Sequence, residues 1–147
     1  MKITCLGTGS PEPYIQRASS GYLVEIGNDK ILLDCGGGVV SRLIEAGHLP
    51  SHITHLFFTH LHSDHMMDYA RLVHCAWDEG AKPLPVYGPA PISNINDKLF
   101  GKEGGNVGFK QFLILSASRT GSESLIQTIT RIHKWLLWCQ TTMELNM

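Results

Sequence analysis

Residues 57–65 of the chain read FFTHLHSDH, and this stretch decides the fold because it joins an apolar run to a dense set of polar side chains. Its ligand-type residues are His60, His62, Asp64 and His65. Histidines two positions apart cannot share a helix face, since helical neighbours lie three or four residues apart. They converge where a strand ends in a loop, so the apolar run predicts a buried strand over residues 53–59. The apolar spacing from His65 onward predicts a helix that begins near Asp64.

The donor types in this cluster indicate a metal site. Imidazole nitrogens and a carboxylate packed into six residues suit zinc, with iron or manganese as alternative ions. A simpler interpretation makes Asp64 only the N-cap of the following helix, with His60 and His62 as ordinary polar loop residues. That interpretation is favoured for any one of these residues alone. The whole HxHxDH string after an apolar strand favours the metal site.

The rest of the chain alternates between strand and helix patterns. Apolar runs predict strands over residues 2–6, 21–26, 30–34, 84–87 and 107–115, and helical spacing predicts helices over 39–44, 65–77 and 92–100. Gly27-Asn28-Asp29 is typical of a hairpin turn between two of the strands. A strand meander followed by alternating helices and strands predicts an α/β (α+β) fold, in which helices pack on a sheet.

Composition excludes several classes of protein. The 147 residues suit one domain, and 43% hydrophobic content supports a buried core. A formal net charge of -1 gives no broad attraction to nucleic acid or anionic membrane. The four cysteines form no CxxC pair, which argues against a zinc ribbon or a disulfide framework. Gly and Pro near the start interrupt any signal peptide, and no apolar run reaches the ~20 residues of a membrane span, so a soluble cytoplasmic protein is expected.

The string HLHSDH, preceded by Thr59, resembles the first metal motif of the metallo-β-lactamase superfamily. The upstream segments ITCLGTGSPEP, SSGYLVEIGNDKILLDCGGGV and AGHLPSHITHLFF are similar to the branch that contains ribonuclease Z and the arylsulfatase-like and phosphodiesterase-like hydrolases. The resemblance runs from Met1 to about Pro91. It implies an αββα sandwich, of which this chain holds mostly the N-terminal half. We expect a metallo-β-lactamase-like domain over residues 1–115 and an atypical, helical C-terminal tail over residues 116–147.

The resemblance also implies a site and a reaction. His60 and His62 would bind one zinc ion, and Asp64 and His65 would bind a second. Asp34 would support, from behind, the loop that carries these four residues. Manganese or iron are the alternative metals. Asp64 would also act in catalysis by accepting a proton, and a metal-bound hydroxide would cleave a phosphodiester or related ester. The expected partners are a small-molecule ester or phosphodiester, with RNA as a further candidate; a homodimer is an expected assembly, and no membrane is involved.

The chain departs from the family pattern at several positions. Ser63 and Asp68 stand where ribonuclease Z and many other members carry glycine, and no later metal motif is recognisable after Pro91. His133 lies at about the distance of a third ligand, but its surroundings, RIHKW, do not match that motif. These departures suit a truncated or frame-shifted product, and one alternative function is a non-catalytic metal-binding fragment. A second alternative is a thiolester hydrolase of the glyoxalase II type, which shares THxHxDH, although LGTGSPEP and LLDCGGG argue against it.

Overall fold

The computed structural model describes residues 1–101 and 104. In this part of the chain, one sheet contains strands in the order β1-β2-β3-β4-β5. The strands are β1 (Lys2–Gly7), β2 (Gly21–Ile26), β3 (Asp29–Leu33), β4 (His55–Phe57) and β5 (Val86–Tyr87). The first three pair antiparallel, and β4 and β5 continue the sheet in parallel with β3. The strand predicted over 107–115, His133 and the tail over 116–147 lie outside the described residues.

The predicted hairpin forms as expected. Ile26 pairs with Asp29, which leaves Gly27 and Asn28 as a two-residue connection between β2 and β3. Gly27 has a φ of 59°, the left-handed conformation that tight hairpin turns require and that glycine adopts without strain. The hairpin of β2 and β3 therefore follows from local turn chemistry.

The connections between the parallel strands are helical, since such connections need to be long enough to cross the sheet. They contain α1 (Val39–Glu45), α2 (Ser63–Met66) and α3 (Tyr69–Asp78), with a short 3₁₀ turn at Pro50–His52, and α4 (Ile92–Phe100) follows β5. In this described region, no helix is long and apolar enough to cross a membrane. The alternation of helix and strand confirms the α/β (α+β) class predicted from the sequence.

Both faces of the sheet are apolar. Successive strand residues point to opposite faces, so Leu32 and Leu56 join the helices in the larger cluster, whereas Leu33 and Phe57 belong to a second cluster on the other face. All four side chains are buried. A sheet that is apolar on both faces needs a layer on each of them, which is the arrangement of the predicted sandwich.

The strand predicted over 53–59 is wrong in its length. Regular pairing is confined to His55–Phe57, although Phe58 still donates its amide to Tyr87 O at 2.8 Å. The ladder ends at Thr59 because its amide donates to the Asp34 carboxylate at 2.8 Å. The residues that follow the strand are thus turned into the loop that carries the histidines.

The single helix predicted from His65 onward is also wrong, because the chain breaks it into α2 and α3. The carbonyl of Asp64, which a continuous helix would pair with the amide of Asp68, accepts instead from Ser20 N at 3.1 Å. The amide of Asp68 donates to Cys35 O at 3.0 Å. Bonds to residues remote in sequence therefore replace the helical bond between the carbonyl of Asp64 and the amide of Asp68.

Two neighbouring residues of α1 provide a test of how this helix packs against the core. Leu43 is 0% exposed in the core, while Ile44 is 50% exposed. We expect Leu43→Ala to lower the free energy of unfolding by about 2–5 kcal/mol, because it leaves a cavity beneath the helix. Ile44→Ala removes a similar aliphatic side chain from the surface and should cost less than about 1 kcal/mol. Urea unfolding of both variants measures the difference, and equal losses would contradict the placement of α1.

Candidate metal centre

The predicted ligand residues come together in the loop and short helix that follow β4, residues 59–66, which we call the metal loop. The ring centroids of His60 and His62 lie 4.7 Å apart, and those of His60 and His65 lie 3.8 Å apart. His65 Nε2 lies 3.4 Å from Asp64 Oδ2. Asp64 is at the second position of α2, and His62 occupies the N-cap position. Asp64 is therefore not the cap of this helix, and the cluster keeps all four donors close to one another.

The buried carboxylate of Asp34 holds this cluster from behind. Asp34 is 0% exposed at the end of β3, and its Oδ2 lies 2.8 Å from Nδ1 of His65. It also accepts hydrogen bonds from the amide of Thr59 at 2.8 Å and from the hydroxyl of Thr59 at 2.9 and 3.1 Å. Because a carboxylate only accepts, the Nδ1 of His65 carries the proton. The Nε2 of His65 is then the ring nitrogen with a lone pair for a metal.

The backbone of Asp34 is strained in a way that serves this contact. Its φ is 59°, and among the described residues it is the one non-glycine position with a positive φ. Aspartate tolerates the left-handed region better than most residues, and such outliers concentrate at functional sites. The unusual backbone conformation supports the role that the sequence resemblance implies for Asp34.

The surroundings of His60 favour its neutral form, in which a ring nitrogen can donate a lone pair to a metal. Partial burial lowers the pKa of His60, and the neighbouring His65 and His62 lower it further, while Asp34 and Asp64 oppose the change. A lowered pKa keeps the imidazole uncharged near neutral pH, and the neutral ring is the form that ligates metals. The ring also lies close to Thr59, with 3.1 Å between the Thr59 hydroxyl and His60 Nδ1.

The segment after β3 fixes the backbone of the metal loop. The amide of Cys35 donates to His65 O at 2.7 Å, and the amide of Ser20 donates to Asp64 O. At Gly36, a Cβ would overlap the carbonyl oxygen of Asp64, so only glycine allows the two chains to approach. The two bonds to the loop backbone carry no sequence signature of their own.

Cys35 lies in the same layer without being available for chemistry. Burial raises the pKa of the Cys35 thiol well above its usual range, and the carboxylates of Asp68 and Asp34 raise it further. A buried thiol that stays protonated is a poor nucleophile and a poor ligand. Cys35 therefore serves packing through its side chain and loop support through its backbone.

A cavity of about 570 Å³ reaches the metal loop from the side of the GTGSPEP turn. Its lining includes Ser63 and Asp64 from the loop, and Tyr14, Arg17 and Arg42 from the surrounding segments. Arg42 is paired with Glu45 at 2.6 Å. The GTGSPEP turn therefore lies beside the cluster, and a molecule in this cavity would touch its Asp64 end.

Three other histidines of the described region make contacts away from the metal loop. His48 lies 3.8 Å from Glu25, His52 accepts from the amide of Leu49 at 3.1 Å, and His55 approaches Tyr87. The contacts given for these three residues do not involve His60, His62, Asp64 or His65.

The donor set fits a divalent metal in its chemistry, since it offers imidazole nitrogens and a carboxylate within contact distance. Within residues 1–101 and 104, however, no group of three or more histidine, cysteine, aspartate or glutamate residues is placed to hold a metal ion. The side chains of the predicted first motif are adjacent, but no three of them are arranged around one ion position.

Two adjacent glycines test the close approach of Gly36 to Asp64. Gly36→Ala should lower the free energy of unfolding by at least about 1–3 kcal/mol, because backbone must move to accept the methyl group. Gly37→Ala is the matched control, since its Cβ would meet its nearest neighbour, Ser19 Oγ, at an ordinary 3.6 Å. We expect the control to change stability by less than about 1 kcal/mol. Chemical denaturation provides the measurement, and equal effects at the two positions would refute the packing described.

Comparisons with known proteins agree with this fold. The structure is similar to the metallo-β-lactamase fold protein YhfI from Bacillus subtilis, at 31% identity with a TM-score of 0.58 over 66% of this chain and 40% of that chain. It is similar to human tRNase Z, short form, at 32% identity with a TM-score of 0.58 over 65% of this chain and 36% of that chain. The predicted metallo-β-lactamase-like fold is thereby confirmed.

Sequence comparison gives the same result. The chain is 33% identical to the ribonuclease Z of Mycolicibacterium gilvum (strain PYR-GCK) over 114 residues, which are 75% of this chain and 40% of that protein. The chain therefore spans about two-fifths of the length of the curated relative. Residues 1–91 match the family model described as anti-Pycsar protein Apyc1, and this stretch contains the whole predicted metal motif. The chain belongs to the metallo-β-lactamase fold superfamily, within the family of the anti-Pycsar protein Apyc1.

Proposed function

We propose that this protein is a metal-dependent hydrolase of the ribonuclease Z-like branch that cleaves a phosphodiester or a related ester bond. One observation carries the proposal: the rings of His60, His62 and His65 lie together beside Asp64, and the buried carboxylate of Asp34 fixes the ring of His65. Relatives named ribonuclease Z and tRNase Z support the phosphodiester class. The proposed substrate is a small phosphodiester or RNA.

The relatives of this fold imply a divalent metal, and we propose zinc because imidazole and carboxylate donors suit it. His60 and His62 would hold one ion, and Asp64 and His65 would hold a second; manganese and iron are the alternatives. When bound, such an ion supplies a coordinated water whose pKa is lowered to about 7, so that a nucleophile is available at neutral pH.

The residues of the chain itself would contribute positioning and proton transfer. Asp64 lies at the edge of the cavity, where its carboxylate would accept the proton of the attacking water at an Oδ atom. Asp34 would keep the Nδ1 of His65 protonated and the ring fixed. The guanidinium group of Arg17 in the cavity lining complements the negative charge of a phosphodiester.

The proposal also includes a cellular compartment and an assembly state. Cys5, Cys35 and Cys75 are not joined in disulfide bonds within the described part of the chain, which agrees with a reducing compartment such as the cytoplasm. A homodimer is the proposed assembly, and a second copy would be one source of further ligands for the site.

Metal content is the first test. We expect about two zinc ions per chain after purification without chelator, and their loss in the double variant His60→Ala/His62→Ala, because those rings provide the first pair of ligands. His52→Ala is the matched control, since His52 is an exposed histidine of the 3₁₀ turn and not of the metal loop. Elemental analysis against protein concentration measures the ratio, and circular dichroism confirms that each variant is folded.

The outcomes of that measurement separate the candidate functions. Two ions per chain mean that further ligands come from residues outside the described region or from a second copy. One ion or fewer would contradict the dinuclear site and favour a metal-binding protein without catalysis, in agreement with the absence of a preformed three-ligand group in the described residues. Zinc retained in the double variant would refute the assignment of His60 and His62.

Substrate class is tested by turnover. We expect metal-dependent hydrolysis of bis(p-nitrophenyl) phosphate, and His62→Ala should reduce it by at least about 100-fold because activity requires the first metal. A thiolester substrate should be cleaved much more slowly, since the LGTGSPEP and LLDCGGG segments match the ribonuclease Z-like branch rather than glyoxalase II. Preferred cleavage of the thiolester would overturn the phosphodiester assignment, and unchanged activity in His62→Ala would overturn the site.

A further inference from the structure

Asp68 occupies an unusual position at the start of α3. It is the N-cap residue of that helix, where aspartate ordinarily accepts a hydrogen bond from the first turn of its own helix. Here the side chain makes no such bond. Instead, Asp68 Oδ2 accepts a hydrogen bond from the amide of Val40 at 3.0 Å. The carboxylate is thus committed to a different helix, α1, that lies 28 residues earlier in the chain.

The backbone of Asp68 belongs to the same connection. Its amide donates to Cys35 O at 3.0 Å, and the amide of Cys35 donates to His65 O at 2.7 Å. The short stretch from His65 to Asp68 is therefore bonded twice to Cys35 and once, through the Asp68 side chain, to Val40. We define these three bonds as the Asp68 latch. It encloses the C-terminal end of α2, the helix that carries Asp64 and His65.

We propose that Asp68 is a positioning residue for the metal loop: by holding the α2–α3 junction against the start of α1, it fixes Asp64 and His65 relative to Asp34. The inference rests on the proposed function, since the importance of Asp64 and His65 comes from their role as ligands. Asp68 itself touches neither ring of the cluster in the described contacts, and it acts through the backbone of Cys35 and α2. The helix break between α2 and α3 is needed for this, because a continuous helix would use the Asp68 amide internally.

The wild-type protein offers a direct test. Val40 is the second residue of α1, and amides in the first turn of a helix have no partner within that helix. If the Asp68 latch forms, the Val40 amide should be protected from hydrogen exchange in the metal-free protein. Exchange as fast as in an unfolded peptide would overturn the proposal without any variant.

Variants separate the latch from general stability. Asp68→Ala removes the acceptor, so we expect the amides of Cys35, Val40 and Asp68 to exchange at least about 10-fold faster, while amides in β2 and β3 keep their rates. Asp68→Asn retains a carbonyl oxygen at the same place and should restore most of the protection. Asp78→Ala is the control, because Asp78 is an exposed aspartate at the other end of α3. It should leave the exchange rates of both sets of amides unchanged.

Cobalt binding connects the latch to the metal site. Titration with Co²⁺, followed by its d–d absorption, should show about 10-fold weaker binding and an altered spectrum in Asp68→Ala, with recovery in Asp68→Asn. If the wild-type chain binds no cobalt, the proposed function fails, and the exchange measurements still decide whether the latch exists. Equal acceleration of all amides in Asp68→Ala, failure of Asp68→Asn to restore protection, or cobalt binding unchanged in Asp68→Ala would each overturn the positioning role.

Discussion

The buried carboxylate of Asp34 is the constraint on which the rest of the site depends. A charged group that is wholly removed from water is tolerated only when its oxygens are hydrogen-bonded, and here the amide and hydroxyl of Thr59 and the ring of His65 provide those partners. Thr59 follows β4, and His65 lies in α2. One side chain at the end of β3 therefore ties together the strand end and the helix between which the loop with His60 and His62 is suspended.

The backbone departs from regular structure on both sides of this carboxylate. The amide of Thr59 is taken by Asp34, so β4 ends earlier than its apolar residues suggest. On the helical side, Asp64 and Asp68 give up the bond that a continuous helix would make between them, and they bond to Ser20 and Cys35 instead. The helix is interrupted as a result. The turn that carries the proposed ligands is instead held by backbone groups from two segments remote in sequence, and side-chain motion does not disturb these bonds.

Most of the fold follows from local patterns in the sequence. Apolar runs predict β1 to β3, the Gly27-Asn28-Asp29 turn predicts the hairpin, and helical spacing predicts α1 and α4. The clustering of the four ligand-type residues is predicted by their spacing after a strand, because that is a local property too. The resemblance to the metallo-β-lactamase superfamily supplies the role of Asp34, which no periodicity would reveal.

The errors of sequence reasoning have one physical cause. Apolar spacing runs without interruption from Met66 through Tyr69 to Val73, so it predicts one helix where the structure has two. The break is imposed by Ser20 and Cys35, which are remote in sequence and contribute backbone atoms that every residue possesses. Such contacts leave no trace in side-chain pattern. The end of β4 is also set by a residue remote in sequence, because the side chain of Asp34, rather than a neighbouring strand, accepts from the amide of Thr59.

These tertiary bonds bear directly on how the first metal motif works. A loop whose backbone is already fixed does not have to lose conformational freedom when a metal binds, so more of the interaction energy appears as affinity. Asp34 fixes the ring of His65, Gly36 permits the close approach of the backbone of Asp64, and Asp68 holds the junction that follows them. All three lie within residues 1–91, the stretch matched by the family. The part of the chain that carries the proposed first ligands thus also carries the groups that position them, and the later ligands of a complete site would meet a loop that is already in place.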